Sequence, residues 1–178
     1  NGVFNSPKGY KAGVYAIVVP GPKYFEIIVN EPAVVVETDT ADLAGHLVVR
    51  KSEENQIFHA YIKMLNARKK DSEVLVEKHK AATDPIVKAG LKQQLDDMDK
   101  AVRDYQNDLI QQHPTTWVSH IVRMSMPVKT DDVRKADGSV DSVASYYAQR
   151  AHYWDHVDLK DQRILRTPVF QNKLEEYM

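Results

Sequence analysis

The chain has 178 residues, enough for one domain or two small ones, and its 43% hydrophobic and 28% charged content is that of an ordinary globular protein. Its 24 basic and 25 acidic residues leave a net charge of −1, which argues against a nucleic-acid or membrane-surface binder, since those carry a basic excess. It contains no cysteine, so disulfides, thiolate catalysis and Cys-ligated metals are excluded within this chain.

No apolar run is long enough for a transmembrane helix, and residues 1–12 do not read as a signal peptide. Asn1–Gly13 is rich in turn formers (Gly2, Asn5, Ser6, Pro7, Gly9, Gly13) and reads as a loop with one short strand. Four β-prone runs follow: Val14–Val19, Tyr24–Val29, Ala33–Thr38 and His46–Arg50. Pro20-Gly21-Pro22, Asn30-Glu31-Pro32 and the polar turn Asp39–Gly45 separate them, and such short connections favour an antiparallel meander. Val14–Val19 is apolar on both faces and needs cover on both. Either the helices that follow supply it, or further strands precede Asn1 in a longer protein, leaving residues 1–50 an incomplete sandwich.

At Ser52 the period changes from strand to helix. Ser52 is a good N-cap, and Glu53 and Glu54 in the first turn suit the positive end of the helix dipole. Ile57, Phe58, Tyr61, Ile62 and Leu65 form a helical stripe, which thins through Arg68–Asp71 and returns at Val74–Val76. One helix is predicted from Ser52 to Ala82, with an irregularity near Lys70. A second runs from Asp84 to Gln112 on the stripe Val87, Leu91, Leu95, Met98, Val102, Tyr105, Leu109, with Pro85 in the first turn and Pro114 beyond its end. At about 28 residues it spans roughly 42 Å. The short turn Thr83–Pro85 makes the two an antiparallel hairpin.

Three smaller helices are predicted in residues 115–178. Thr115 or Thr116 caps the first, which carries Trp117, Val118, Ile121, Val122 and Met124. After a polar loop, Val128–Val140, comes Asp141–Trp154, with Val143, Ala144, Tyr147, Ala151 and Trp154 expected inward. A connector, His156–Arg166, leads to a helix capped by Thr167-Pro168 that reaches Met178 without a stop signal, as expected of a chain cut at its C-terminus. The fold class is thus α+β, mostly α: a short antiparallel β-meander (1–50), then a helical domain (51–178) with a hairpin over 52–112.

His152 and His156 stand four apart beside Asp155 and Asp158, a spacing at which two imidazoles can share a metal, as a metal-dependent hydrolase would require. A third ligand is not apparent, and residues near a helix end are the plainer reading. Asp131, Asp132, Asp137, Gly138 and Asp141 do not follow a calcium-loop pattern, because Arg134 and Ala136 fill ligand positions. No nucleophile elbow or glycine-rich phosphate loop occurs. Asp84/Lys88, Asp96/Lys100 and Asp99/Arg103 mark a solvated helix face, and a structural module that dimerises through the hairpin is a further reading.

Two segments carry a resemblance. Tyr24–Val29 through Val36–Thr40, then Ser52-Glu53-Glu54-Asn55-Gln56-Ile57-Phe58, resembles the non-catalytic N-terminal region of thioredoxin-like envelope lipoproteins of the Bacteroides group, with Lys51 where those proteins often have Gly. Ala151–Leu159 and Arg163–Phe170 are similar to the helical domain that precedes the thioredoxin fold in the same family. The resemblance implies an exported, lipid-anchored parent protein with a C-terminal thiol–disulfide oxidoreductase domain as partner. It implies no catalytic residue and no cofactor here, since the family's Cys-x-x-Cys has no counterpart. The expected role is to position that domain or bind a protein client. Tyr146, Tyr147, Tyr153, Trp154, Arg163, Arg166 and Phe170 are the candidate interaction residues.

Overall fold

A computed structural model describes residues 2–21 and 23–178. Period-two patterning yields four strands, β1 (Gly13–Val19), β2 (Lys23–Val29), β3 (Val35–Glu37) and β4 (Val48–Lys51). Residues 2–12 form no strand, so the short one expected there is not made. Gly21 turns the first hairpin at a φ of 91°, a conformation that a β-carbon disfavours. Pro22, part of the same expected breaker, and Asn1 lie outside the described residues.

The strands pair antiparallel, but in two hairpins rather than one continuous meander: β1 with β2, and β3 with β4. The reason lies on the outer edge of β2. There the Ile28 N–H and C=O are both bonded to the side chain of Asn55, so a third strand cannot pair at that position. The first hairpin is covered on both faces. Val14 and Ile28, opposite each other, face the helical core, while Ile17, Val19, Phe25 and Ile27 pack on Leu43, Leu47, Val36 and Val49 of the second hairpin and its loop. Helices and the second hairpin therefore share the covering task.

Helix α1 (Glu53–Ala81) is capped by Ser52 and runs unbroken through Lys70, where an irregularity was expected. Helix α2 (Pro85–Gln112) starts at Asp84, whose Oδ1 accepts from the Ile86 N–H at 2.7 Å. The two form the expected hairpin. Near its base the Tyr61 and Tyr105 rings stack with centroids 6.2 Å apart, and Gln106 Nε2 donates to Tyr61 Oη at 2.8 Å. From Ile62 to Tyr105 every residue keeps at least partial exposure; Ile62, Met64, Leu65 and Tyr105 still pack on the core, and beyond them the outer hairpin is an arm projecting from the body.

Helix α3 (Trp117–Ser125), capped by Thr116, buries Trp117, Val118, Ile121 and Val122 against Ile28, Phe58, Tyr61 and Leu109. This core crosses between the β segment and the helices. Burying one side chain of such size contributes about 1.5–3 kcal/mol. Helix α4 (Ser142–His152) buries nothing fully. Val143 and Tyr147, expected inward, are 68% and 65% exposed, because no other element packs over that face. A 3₁₀ turn at Gln162–Arg166 breaks the connector, and α5 (Pro168–Tyr177) closes the chain, capped by the fully buried Thr167. Among the described residues no helix is long and apolar enough to cross a membrane.

Candidate functional site

The first turn of α1 is the joint of the body. Glu54 lies at the i, i+4, i+7 spacing with Phe58 and Tyr61, so it points inward and is only 6% exposed. Its Oε1 accepts from the Trp117 N–H (2.8 Å) and the Asn30 amide (3.0 Å), and its Oε2 from the Val118 N–H (2.9 Å). The carboxylate thus satisfies free N–H groups at the start of α3, where the helix dipole also favours an anion. Asn55, fully buried, accepts from the Ile28 N–H at 2.8 Å and donates to the Ile28 carbonyl and to Ser52 Oγ, each at 2.7 Å. These bonds hold Ser52 at a φ of 135°, which costs a non-glycine residue about 1–3 kcal/mol.

The connector docks onto this joint. Arg163 donates from Nη1 to Asn30 Oδ1 (3.1 Å) and from Nε to both oxygens of Asp161 (2.9 and 3.0 Å). Its guanidinium lies 5.1 Å from the Trp117 ring centroid. Arg163 holds the Asp161 carboxyl below the usual range, chiefly by that hydrogen bond. The buried Trp117 Nε1 has no partner in bonding geometry, although it sits near enough to Asp161 to add a little to the same effect. Arg166 donates from Nε to the Ala12 carbonyl at 2.7 Å. Arg163 and Arg166, expected to offer an interaction surface, are therefore engaged within the chain.

The other expected interaction residues are aromatic, and the structure gathers most of them. Tyr153, Trp154, Phe170 and Tyr177 form one cluster with neighbouring centroids 5.1 to 5.9 Å apart. Arg150 lies 4.0 Å over the Tyr177 ring, and Lys173 4.0 Å over Tyr153. The Tyr153 hydroxyl sits 2.9 Å from Glu176 Oε2 and 3.0 Å from the Lys173 carbonyl. Burial, then the bond to Glu176, pushes its phenol up to about 12, and burial lowers the Lys173 ammonium. Tyr146 and Tyr147 stand outside this cluster, 55% and 65% exposed, with rings edge to face at 5.5 Å.

His152 Nδ1 meets Asp155 Oδ2 at 2.7 Å, whereas His156 Nδ1 meets the Met126 carbonyl at 3.2 Å. The two imidazoles thus serve different partners. Among the described residues no group of three or more His, Asp or Glu is arranged to hold a metal ion.

Two open clefts flank α3. One, of about 350 Å³, is lined by His120, Arg123, Asp155, His156, Asp158 and Asp161 among others. The other, of about 320 Å³, is lined by Pro127, Gln149, Tyr153, Lys173 and Glu176 among others. Ser119 borders the first, but its hydroxyl donates to the His113 carbonyl at 2.7 Å within the cap of α3, which is not the setting of an activated nucleophile.

From the sequence, Glu54 has a place near a helix dipole, and Asn55 stands only within the resembling segment Ser52–Phe58; neither shows a structural role. The available signal was their spacing, since both share inward stripes with the apolar residues of α1. Comparison with known protein families, with curated proteins and with solved structures finds no match to this chain.

Proposed function

We propose that this chain is a non-catalytic accessory region of a cell-envelope thiol–disulfide oxidoreductase, one that engages a thioredoxin-like domain or its protein client. The observation that carries an interaction role is the pair Tyr146 and Tyr147, two large, mostly exposed rings on the face of α4 that no other element covers. Exposed tyrosines offer broad apolar area with a hydrogen-bonding tip and lose little entropy when they dock, which suits a protein surface. The cluster of Tyr153, Trp154, Phe170 and Tyr177 behind them gives α4 a firm footing on α5. The oxidoreductase setting rests on the resemblance of Tyr24–Phe58 and Ala151–Phe170. Without cysteine, the chain itself supplies no dithiol.

The test is calorimetric titration of the purified chain with a reduced thioredoxin-like domain. Binding is expected, and a Tyr146→Ala, Tyr147→Ala variant should lose at least tenfold in affinity, about 1.4 kcal/mol. Absence of binding by the unaltered chain would overturn the proposal.

A further inference from the structure

The outer arm is built like half of a larger bundle. Along it Leu75, Val76, Leu91, Leu95 and Met98 each stay partly exposed, while Val74, Ile86 and Val87 are exposed outright. Two helices packed side by side close their seam only along one line, whereas four helices enclose it. The arm projects about 16 residues per helix, roughly 24 Å, beyond the body.

The charges of the arm indicate what covers it. Arg68, Lys69 and Lys70 form an exposed basic block on α1, and Asp96, Asp97 and Asp99 an exposed acidic block on α2. The bond between Tyr61 and Gln106 sets the level of the two antiparallel helices. Seven to nine residues outward from Tyr61 lie the three cations, and seven to ten back from Gln106 lie the three aspartates, so both blocks sit at one height. Among the described residues the arm's ion pairs each stay within one helix: Lys69 with Glu73, Lys80 with Glu77, Lys92 with Asp96, Lys100 with Asp104. Arg68, Lys70 and Asp99 enter none of these.

We propose that two copies of this chain associate through their arms into a four-helix bundle, in which α1 of each copy lies against α2 of the other, basic block beside acidic block. A two-fold axis along the bundle sets each α1 next to the partner's α2 at the same height, so one axis satisfies both pairs of blocks. The apolar seam drives the association, and the charge blocks fix which helix meets which.

Sedimentation velocity tests this. The unaltered chain should shift from monomer to dimer as concentration rises to roughly 100 μM. A variant with Arg68, Lys69 and Lys70 changed to Glu should stay monomeric, as should one with Asp96, Asp97 and Asp99 changed to Lys. Mixing the two variants should restore a one-to-one dimer. Far-ultraviolet circular dichroism, unchanged in each variant, separates lost pairing from lost folding. A chain that stays monomeric throughout, variants that dimerise as readily as the parent, or well-folded variants that fail to pair when mixed would overturn the proposal.

Discussion

Asn55 pairs with Ile28 as another strand would, its side-chain oxygen taking the backbone N–H at 2.8 Å and its side-chain nitrogen reaching the carbonyl at 2.7 Å. One amide thereby occupies the outer edge of β2 at Ile28 and ties the strand to the first turn of α1.

Removing that amide should expose the dependence. Asn55→Ala leaves the donor and the acceptor of Ile28 buried without partners and frees Ser52 from a further bond. The expected loss is about 2–4 kcal/mol, at the upper end for two unsatisfied groups. Urea unfolding should show a lower midpoint with an unchanged slope. An Asn55→Ala protein within 0.5 kcal/mol or so of the parent would refute the account.

His59 gives the body an acid sensitivity. It is buried on α1, its Nε2 lacks a partner, and burial, helped by the charge of Lys63, lowers its imidazole to about 4. The unfolded chain, with an ordinary imidazole near 6.5, therefore takes up this proton first as pH falls. Stability from this group is fully present above about pH 6.5 and is lost toward pH 4, by at most about 1.4 kcal/mol per unit. Glu26, raised by burial, acts in the opposite sense, since the folded state holds its proton more tightly just above pH 4.5. A His59→Leu variant should flatten the decline in thermal midpoint between pH 6.5 and 5, as differential scanning calorimetry would record.

Gly13 should not tolerate a side chain. A β-carbon there would lie 2.8 Å from Cβ of Arg166, the residue that clamps the connector to β1 through the Ala12 carbonyl. Gly13→Ala should cost about 1–3 kcal/mol through that overpacking. Pairing it with Arg166→Gly, which removes the obstructing Cβ, should recover part of the loss in a double-mutant cycle. Full additivity would count against the contact.

The sequence disclosed those parts of the fold that are set by neighbouring residues. Ser52, Asp84, Thr116, Asp141 and Thr167 cap helices through bonds reaching two or three residues along the chain, and each is written locally. What escaped is set across distance. Glu54 meets Trp117 63 positions away, and Arg163 meets Asn30 133 away, with no local pattern announcing either. The helix residue that occupies the edge of β2 at Ile28, Asn55, is likewise invisible from the strands themselves. Tyr147 looked inward because helical periodicity names a stripe without saying whether anything lies opposite it. Among the interaction candidates, chemistry alone could not tell arginines engaged across the chain, Arg163 and Arg166, from tyrosines left mostly exposed, Tyr146 and Tyr147.

The contact between Tyr61 and Gln106 has a consequence for how the molecule tolerates change. The chain runs outward past one of these residues and comes back to the other, 45 positions later, at hydrogen-bonding distance. Ile62, Met64, Leu65 and Tyr105 still pack on the core and Lys63 donates to the Leu47 carbonyl at 3.1 Å, but to the body the stretch outward of these is a detour that returns to its starting point. Whole turns added to or trimmed from both helices would lengthen or shorten the reach of the molecule while leaving the joint at Glu54 and Asn55 untouched. Reach and body stability are thus separately adjustable properties of one continuous chain.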